Sequence, residues 1–231
     1  MWNFLKGTVT GISSLIYPAQ CIGCRRSETI FCKECNRNWL LEPSLIQRNP
    51  FPIYAVAPYD KVVSRIVLIA KEEANTFAQE LLARAIVKSL TTISGLTNQE
   101  FALVPIPSRK SSIRRRGEKF LIPILKKAVT ELNSESDNRF SIADILNLHR
   151  KVKEQSGLNA KERLANMNKA HHVVLPPAME RELRDKALII IDDVVTTGST
   201  MASAFSALKE RNLTVIAGVG ACASPIRLLI R

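Results

Sequence analysis

Leu188-Ile-Ile-Ile-Asp192-Asp193-Val-Val-Thr196-Thr197-Gly198-Ser199-Thr200 is the stretch that decides the fold. Four apolar residues in a row give a strand with no solvent face, as in a parallel sheet covered by helices on both sides. The spacing predicts a strand over residues 188–192 that delivers Asp192 and Asp193 at its carboxyl end, where sheets of this kind bind ligands. The chain then turns into a helix expected over residues 200–211, whose Met201, Ala204, Phe205 and Leu208 recur at helical spacing and whose Lys209 and Arg211 complement the C-terminal dipole. Gly198 lets the backbone close around a ligand. The amides of that helix start, with the hydroxyls of Thr196, Thr197, Ser199 and Thr200, make a cup suited to a phosphate monoester. Two carboxylates beside such a cup would repel phosphate unless they hold something else, and vicinal hydroxyls or a bridging Mg2+ fit that role.

Strand and helix signals alternate around this segment. Strands are expected over residues 53–57, 101–107, 145–148, 173–175 and 215–222. Helices are expected over 72–93, with Phe77, Leu81, Leu82, Ala85 and Ile86 on one face, and over 118–132, with Pro123 near the first turn. The alternation implies an α/β fold, a mostly parallel sheet flanked by helices. Residues 43–52 hold three prolines and read as an extended linker, so the chain divides near residue 50 into segments 1–50 and 51–231.

With 46% hydrophobic and 23% charged residues in 231, a core forms and wholesale disorder is excluded. The net charge is +12, and the excess is uneven: 11 basic against 8 acidic residues in 1–100, 22 against 13 in 101–231. That field favours anionic ligands or polyanions. Residues 2–16 place Leu5, Val9, Ile12 and Ile16 at 3-to-4 spacing with Lys6 the one internal charge, which suits an amphipathic docking helix rather than a signal peptide or membrane span. A cytoplasmic protein is the expectation.

Cys21-x2-Cys24 and Cys32-x2-Cys35 are two knuckles separated by seven residues, with Gly23 easing the first turn. Their spacing predicts a closed tetrahedral thiolate site, structural rather than catalytic, for Zn2+, with an iron–sulfur cluster as the alternative soft-metal occupant. Disulfides do not suit a reducing compartment. Cys222 follows an apolar run and reads as core. Between Arg109 and Lys119 six residues are basic and one is acidic, a run open to reading as a solvated loop, an anion site or a nucleic-acid contact. His171 and His172 lack metal spacing and read as surface or edge-strand residues.

A ribose 5-phosphate moiety satisfies both halves of the acid–threonine segment, and along its whole length that segment resembles the phosphoribosyl pyrophosphate (PRPP) signature of type I phosphoribosyltransferases. Three further motifs extend the likeness: Val104-Pro-Ile-Pro107-Ser-Arg109-Lys110, then Arg114-Arg-Arg116-Gly117, and Gln155-x2-Leu158-x4-Arg163-x2-Asn166. With these the chain resembles the ComF family of competence-associated proteins, in which a small four-Cys zinc module precedes a phosphoribosyltransferase domain. It departs from that family's usual Phe-Asn-Gln after Arg-Gly, having Glu118-Lys119-Phe120. The resemblance implies PRPP as substrate or ligand and Mg2+ as cofactor. It implies that Asp192 and Asp193 hold ribose hydroxyls, that residues 196–200 hold the 5-phosphate, and that Ser108, Arg109 and Lys110 hold the pyrophosphate. Asp192, Asp193 and Arg109 are the expected catalytic set. A variable hood around residues 149–153 over an unspecified acceptor, an association with DNA uptake, and single-stranded DNA or uptake proteins as partners are implied as well. Turnover stays open between an enzyme, a PRPP-sensing regulator and a non-catalytic DNA-binding factor.

Overall fold

The computed structural model describes residues 19–27, 29–47, 49–95, 99–135, 139–148 and 170–224. The expected N-terminal amphipathic helix, the Gln155 to Asn166 motif and the basic stretch 149–153 lie outside them.

The main sheet is built on strands β2 (Ile53–Pro58), β3 (Phe101–Pro105), β7 (Ala187–Val195) and β8 (Val215–Ala223), all mutually parallel where they pair. Edge strands β1 (Ser44–Gln47) and β4 (Phe140–Ile142) complete the order β1-β2-β8-β7-β3-β4, with β1 antiparallel to β2 and β4 parallel to β3. All five residues of β3 and the first five of β7 are buried. Both strands therefore need apolar cover on each face. On one face α2 (Lys61–Glu72), α3 (Thr76–Ser94) and α5 (Leu121–Glu135) pack over Phe101, Leu103, Ile189 and Ile191. The opposite face is covered by α6 (Pro177–Arg184) and α7 (Ser199–Lys209), over Ala102, Val104, Leu188 and Ile190. Two shorter helices, α1 (Lys33–Arg37) in the four-Cys segment and α4 (Lys110–Arg116) after β3, complete the described elements. No helix among the described residues is long and apolar enough to cross a membrane.

Several expectations are corrected. The helix expected over residues 72–93 is α3, which starts only at Thr76, and a further helix, α2, ends at Glu72 just before it. Asp60 starts α2 by accepting the N–H groups of Val62 and Val63 at 2.9 and 2.8 Å, Ala74 turns left-handed at φ 49°, and Asn75 caps α3 by accepting the N–H of Ala78. Phe77, assigned to the buried face, is 40% exposed and meets Phe31 edge-on at 5.3 Å. The segment expected as a linker contributes β1, whose backbone finds its hydrogen bonds on β2, so the sheet begins before residue 50. Strand β7 does not stop at Asp192, because β8 continues the ladder alongside it through Val194 opposite Cys222 and Val195 opposite Ala223. The segments expected as strands over 145–148 and 173–175 are β5 (Leu146–Leu148) and β6 (His171–Val173), an antiparallel pair outside the main sheet. His171 and His172 stand on β6, the edge-strand alternative of their reading, although His171 is buried there, its Nδ1 3.0 Å from the hydroxyl of Ser203 on α7. The basic run is no loop: seven of its residues form α4, which Gly117 ends at φ 81°.

Ala74 holds a conformation that costs an L-residue about 1–2 kcal/mol, while glycine there would lose about 0.4–1 kcal/mol through greater unfolded-chain entropy. Ala74→Gly is therefore expected to raise stability by about 0.5–1 kcal/mol, read as a higher urea midpoint at unchanged slope; a lower midpoint would contradict a left-handed break between α2 and α3.

Candidate active site and metal centre

Strands β3 and β7 are neighbours, yet the chain leaves them toward opposite faces of the sheet. After β3 it runs through α4 into α5, whose Ile124 and Leu125 join the α2–α3 layer; after β7 it enters α7, whose Met201, Ala204 and Leu208 join the other. Two adjacent strands diverging in this way open a crevice at their carboxyl ends, the place where open α/β sheets bind ligands. A cleft of about 320 Å³ lies there. Ser108 and Arg109 line it from the loop after β3, Asp192 and Asp193 from β7, and Lys71 and Glu72 from the end of α2, with Arg116 and Phe120 closing one side.

Successive residues of a strand send their side chains to opposite faces. Asp193 continues the row of Ile189 and Ile191 toward α2, and its carboxylate, in a residue only 7% exposed, forms an ion pair with the ammonium of Lys71. Asp192 continues the row of Leu188 and Ile190, and its Oδ1 accepts the N–H of Asp193 at 2.9 Å. Burial, then the charge of Asp193 beside it, pushes the Asp192 carboxyl well above the ordinary carboxylate range. Beneath the pair, the Cys222 thiol donates to the backbone carbonyl of Asp193 at 3.2 Å, and burial raises that thiol well above its usual value. Cys222 is thus core, as its apolar run suggests.

Residues 196–200 turn tightly from β7 into α7. The hydroxyls of Thr197 and Ser199 lie 2.9 Å apart, and the Ser199 N–H donates to the Thr197 hydroxyl at 3.3 Å. Gly198 has φ 78°, a conformation that demands glycine, while a Cβ there would come 2.7 Å from Oε1 of Gln47 on β1, the far end of a flexible side chain. Thr196, Thr197, Gly198, Ser199 and Thr200 are not among the residues lining the 320 Å³ cleft, and neither is Lys110, which opens α4. The cleft thus brings together Asp192, Asp193, Ser108 and Arg109 of the expected residues. Its other lining residues include Lys71 and Glu72, which sequence reasoning missed, and Arg116 and Phe120, which it had quoted without assigning them to this cleft. Lys71, Glu72, Arg116 and Phe120 form one cluster: Glu72 pairs with Arg115 at 2.6 Å and Arg116 at 3.5 Å, while Lys71 and Arg116 sit 5.3 and 5.8 Å from the Phe120 ring. The signal available in the sequence was the 3-to-4 spacing of Val63, Ile66, Val67 and Ala70, which marks α2 and puts Lys71 in its last turn.

At the other end of α2, Cys21, Cys24, Cys32 and Cys35 bring their sulfurs within 4.8 Å of one another. Cys24 and Cys32 are 3.7 Å apart, close to the sulfur–sulfur edge of about 3.8 Å that four bonds of ~2.3 Å make in a tetrahedron. All four are free thiols, and their donor set fits a soft metal ion. Gly23 has a steric role: a Cβ would lie 2.8 Å from the Cys35 sulfur. Although burial works upward on Cys21, the backbone N–H groups of Cys24, Cys32 and Gly23 bring its thiol down to about 6. Burial, and then the neighbouring thiols, pushes Cys35 the other way. Four crowded acids cannot all ionise without a cation among them.

The Asp192 environment has a consequence for stability. Its carboxyl is raised above the unfolded value of about 3.9, so folding favours the protonated form, and the stability it contributes is lost as pH rises from that value through the raised one. Asp192→Asn is expected to stabilise the protein at pH 7.5 by about 0.5–2 kcal/mol, the gap narrowing toward pH 4. Guanidinium unfolding at the two pH values measures it, and a variant less stable than the parent at pH 7.5 would refute the assignment.

A family model described as phosphoribosyl transferase domain matches residues 110–227, slightly more than half of the chain, and includes α4, β7, the 196–200 turn, α7 and β8. No curated protein matches the chain. The matched segment carries the paired acids to the head of a switch-point cleft in a mostly parallel sheet. The chain belongs to the phosphoribosyl transferase domain family.

Proposed function

We propose that the cleft between β3 and β7 binds PRPP and transfers its phosphoribosyl group to an acceptor. The observation that carries this reading is the placement of Asp192 and Asp193, both inside the segment matched as a phosphoribosyl transferase domain, against Ser108 and Arg109 across one cleft. Asp192 and Asp193 accept hydrogen bonds from the vicinal ribose hydroxyls, and residues 196–200 take the 5-phosphate on the amides and hydroxyls of the α7 start. The loop of Ser108, Arg109 and Lys110 receives the diphosphate. The acceptor attacks C1 of the ribose as the C1–O bond to diphosphate breaks, so the protein forms no covalent bond. Its work is to orient the two reactants and to neutralise the leaving group, chiefly through Arg109. Mg2+, held at the carboxylate side by Asp192 or Asp193 together with the ligand's own oxygens, would supply further charge neutralisation to the diphosphate.

The thiolate cluster we assign to Zn2+ in a structural role, since four protein ligands leave no position for a substrate. A four-Cys cluster and a phosphoribosyl transferase domain in one chain support a place in the ComF family, and with it an association with DNA uptake. A purely DNA-binding role draws less support, because Arg115 and Arg116 of the basic helix are engaged by Glu72.

Calorimetric titration with PRPP and Mg2+ tests the main reading. Replacing Asp192 and Asp193 together by Asn keeps the shape and removes charged hydrogen-bond partners, which should weaken PRPP about ten- to a hundredfold. Thr197→Val should weaken ribose 5-phosphate while leaving free pyrophosphate unchanged. Unaltered PRPP affinity in the doubly substituted protein would remove the acids from the ribose site. For the thiolates, the expected content is one zinc per chain, lost in Cys24→Ser, with hydrogen exchange rising in residues 19–41 far more than in β7 and β8. Metal-free parent protein with five titratable thiols would contradict the assignment.

A further inference from the structure

The C-terminal turn of α2 places two consecutive residues of opposite charge at the mouth of the cleft. Lys71 forms an ion pair with Asp193, and Glu72 holds Arg115 and Arg116 of α4. Both residues line the cleft together with Asp192 and Arg109. The Lys71 side chain retains about a third of its exposure, whereas that of Asp193 retains 10%. One partner is thus able to move into the cleft while the other is fixed in the strand.

A nearly buried carboxylate without a counter-charge is strongly destabilising, so Asp193 needs a cation at every stage. Lysine serves such a site in a particular way: its ammonium is a compact point charge on a flexible four-carbon stem, able to leave one partner for another nearby. The Phe120 ring, 5.3 Å from Nζ, gives that swing a second favourable surface. We propose that Lys71 is the exchangeable counter-ion of the acidic pair. Its ammonium holds Asp193 until a cation-bound diphosphate ligand supplies a replacement, and then pairs with that ligand's diphosphate oxygens. This rests on the PRPP reading of the cleft for the identity of the ligand, not for the exchange. Glu72 contributes by keeping α4 against the end of α2, which sets where the displaced ammonium has to turn.

Exchange predicts changes of opposite sign in two simple probes. Lys71→Met retains the stem and removes the charge. Titrated with Mn2+ alone, followed by electron paramagnetic resonance, it should bind the ion about tenfold more tightly than the parent, because a competing cation has gone. Titrated with inorganic pyrophosphate alone, it should bind about tenfold more weakly, because a cationic partner has gone. Lys71→Arg keeps the charge and should stay within about threefold of the parent in both. Lys71→Gln provides the same opposite-signed test should the methionine variant fail to fold. Shifts of the same sign, shifts in neither probe, or no Mn2+ binding to parent and variants alike would overturn the proposal, leaving Lys71 a structural partner of Asp193. PRPP titration separates the two claims. Opposite-signed shifts in a protein that does not bind PRPP would retain the exchange and reject the PRPP reading; PRPP binding without such shifts would do the reverse.

Discussion

Two neighbouring carboxylates in the carboxyl-terminal half of a largely buried strand are the constraint around which this molecule is arranged. Desolvation, then the charge of Asp193 beside it, pushes the Asp192 carboxyl toward the neutral form, while Asp193 pairs with Lys71. Such an arrangement does not favour the fold. It stores an unfavourable electrostatic state where a ligand with hydroxyls or a bound cation would relieve it, as is common at functional sites. The sheet tolerates the arrangement, since β7 is paired with β3 from Ala187 to Ile191 and with β8 from Leu188 to Val195, and apolar layers support it on both faces.

The four-Cys segment is tied into the same framework. Its neighbour β1 is an edge strand of the main sheet, and Gln47 at the end of β1 stands over Gly198 in the turn after β7. Arg65 of α2 donates to the backbone carbonyl of Gly23 at 2.5 Å, inside the first cysteine knuckle. Helix α2 therefore touches the thiolate cluster through Arg65 and the acidic pair through Lys71, six residues apart in sequence. Order in the cysteine cluster and order at the cleft share one rigid element.

What was readable in the sequence follows the strength of local signals. Leu188 to Ile191 admits no solvent face, so a buried parallel strand was apparent, as were the helix after Gly198 and the two cysteine knuckles. The end of β7 was not, because nothing at Asp192 or Asp193 reveals that a strand some thirty residues onward carries the ladder past them, with Cys222 beside Val194 and Ala223 beside Val195. The same applies to residues 43–52, whose prolines suggest a linker while pairing to β2, a tertiary event, makes a strand of them. Helix α2 was overlooked although Val63, Ile66, Val67 and Ala70 spell its buried stripe, and with it went Lys71 and Glu72. Asp192, Asp193, Ser108 and Arg109 were singled out from motifs, but Lys71, the counter-charge of Asp193, lies far away in sequence and only folding brings it to the cleft.

The central claim is that the cleft and the turn beside it form one PRPP site spanning β3 and β7. Hydrogen–deuterium exchange of the full chain with and without PRPP and Mg2+ tests it most directly, since slow exchange would report ligand contact at each backbone amide separately. The account predicts protection in two segments distant in sequence, residues 108–112 and 196–202, with the four-Cys segment unchanged. Protection confined to residues 20–35, or absent from both cleft segments at saturating PRPP, would contradict it.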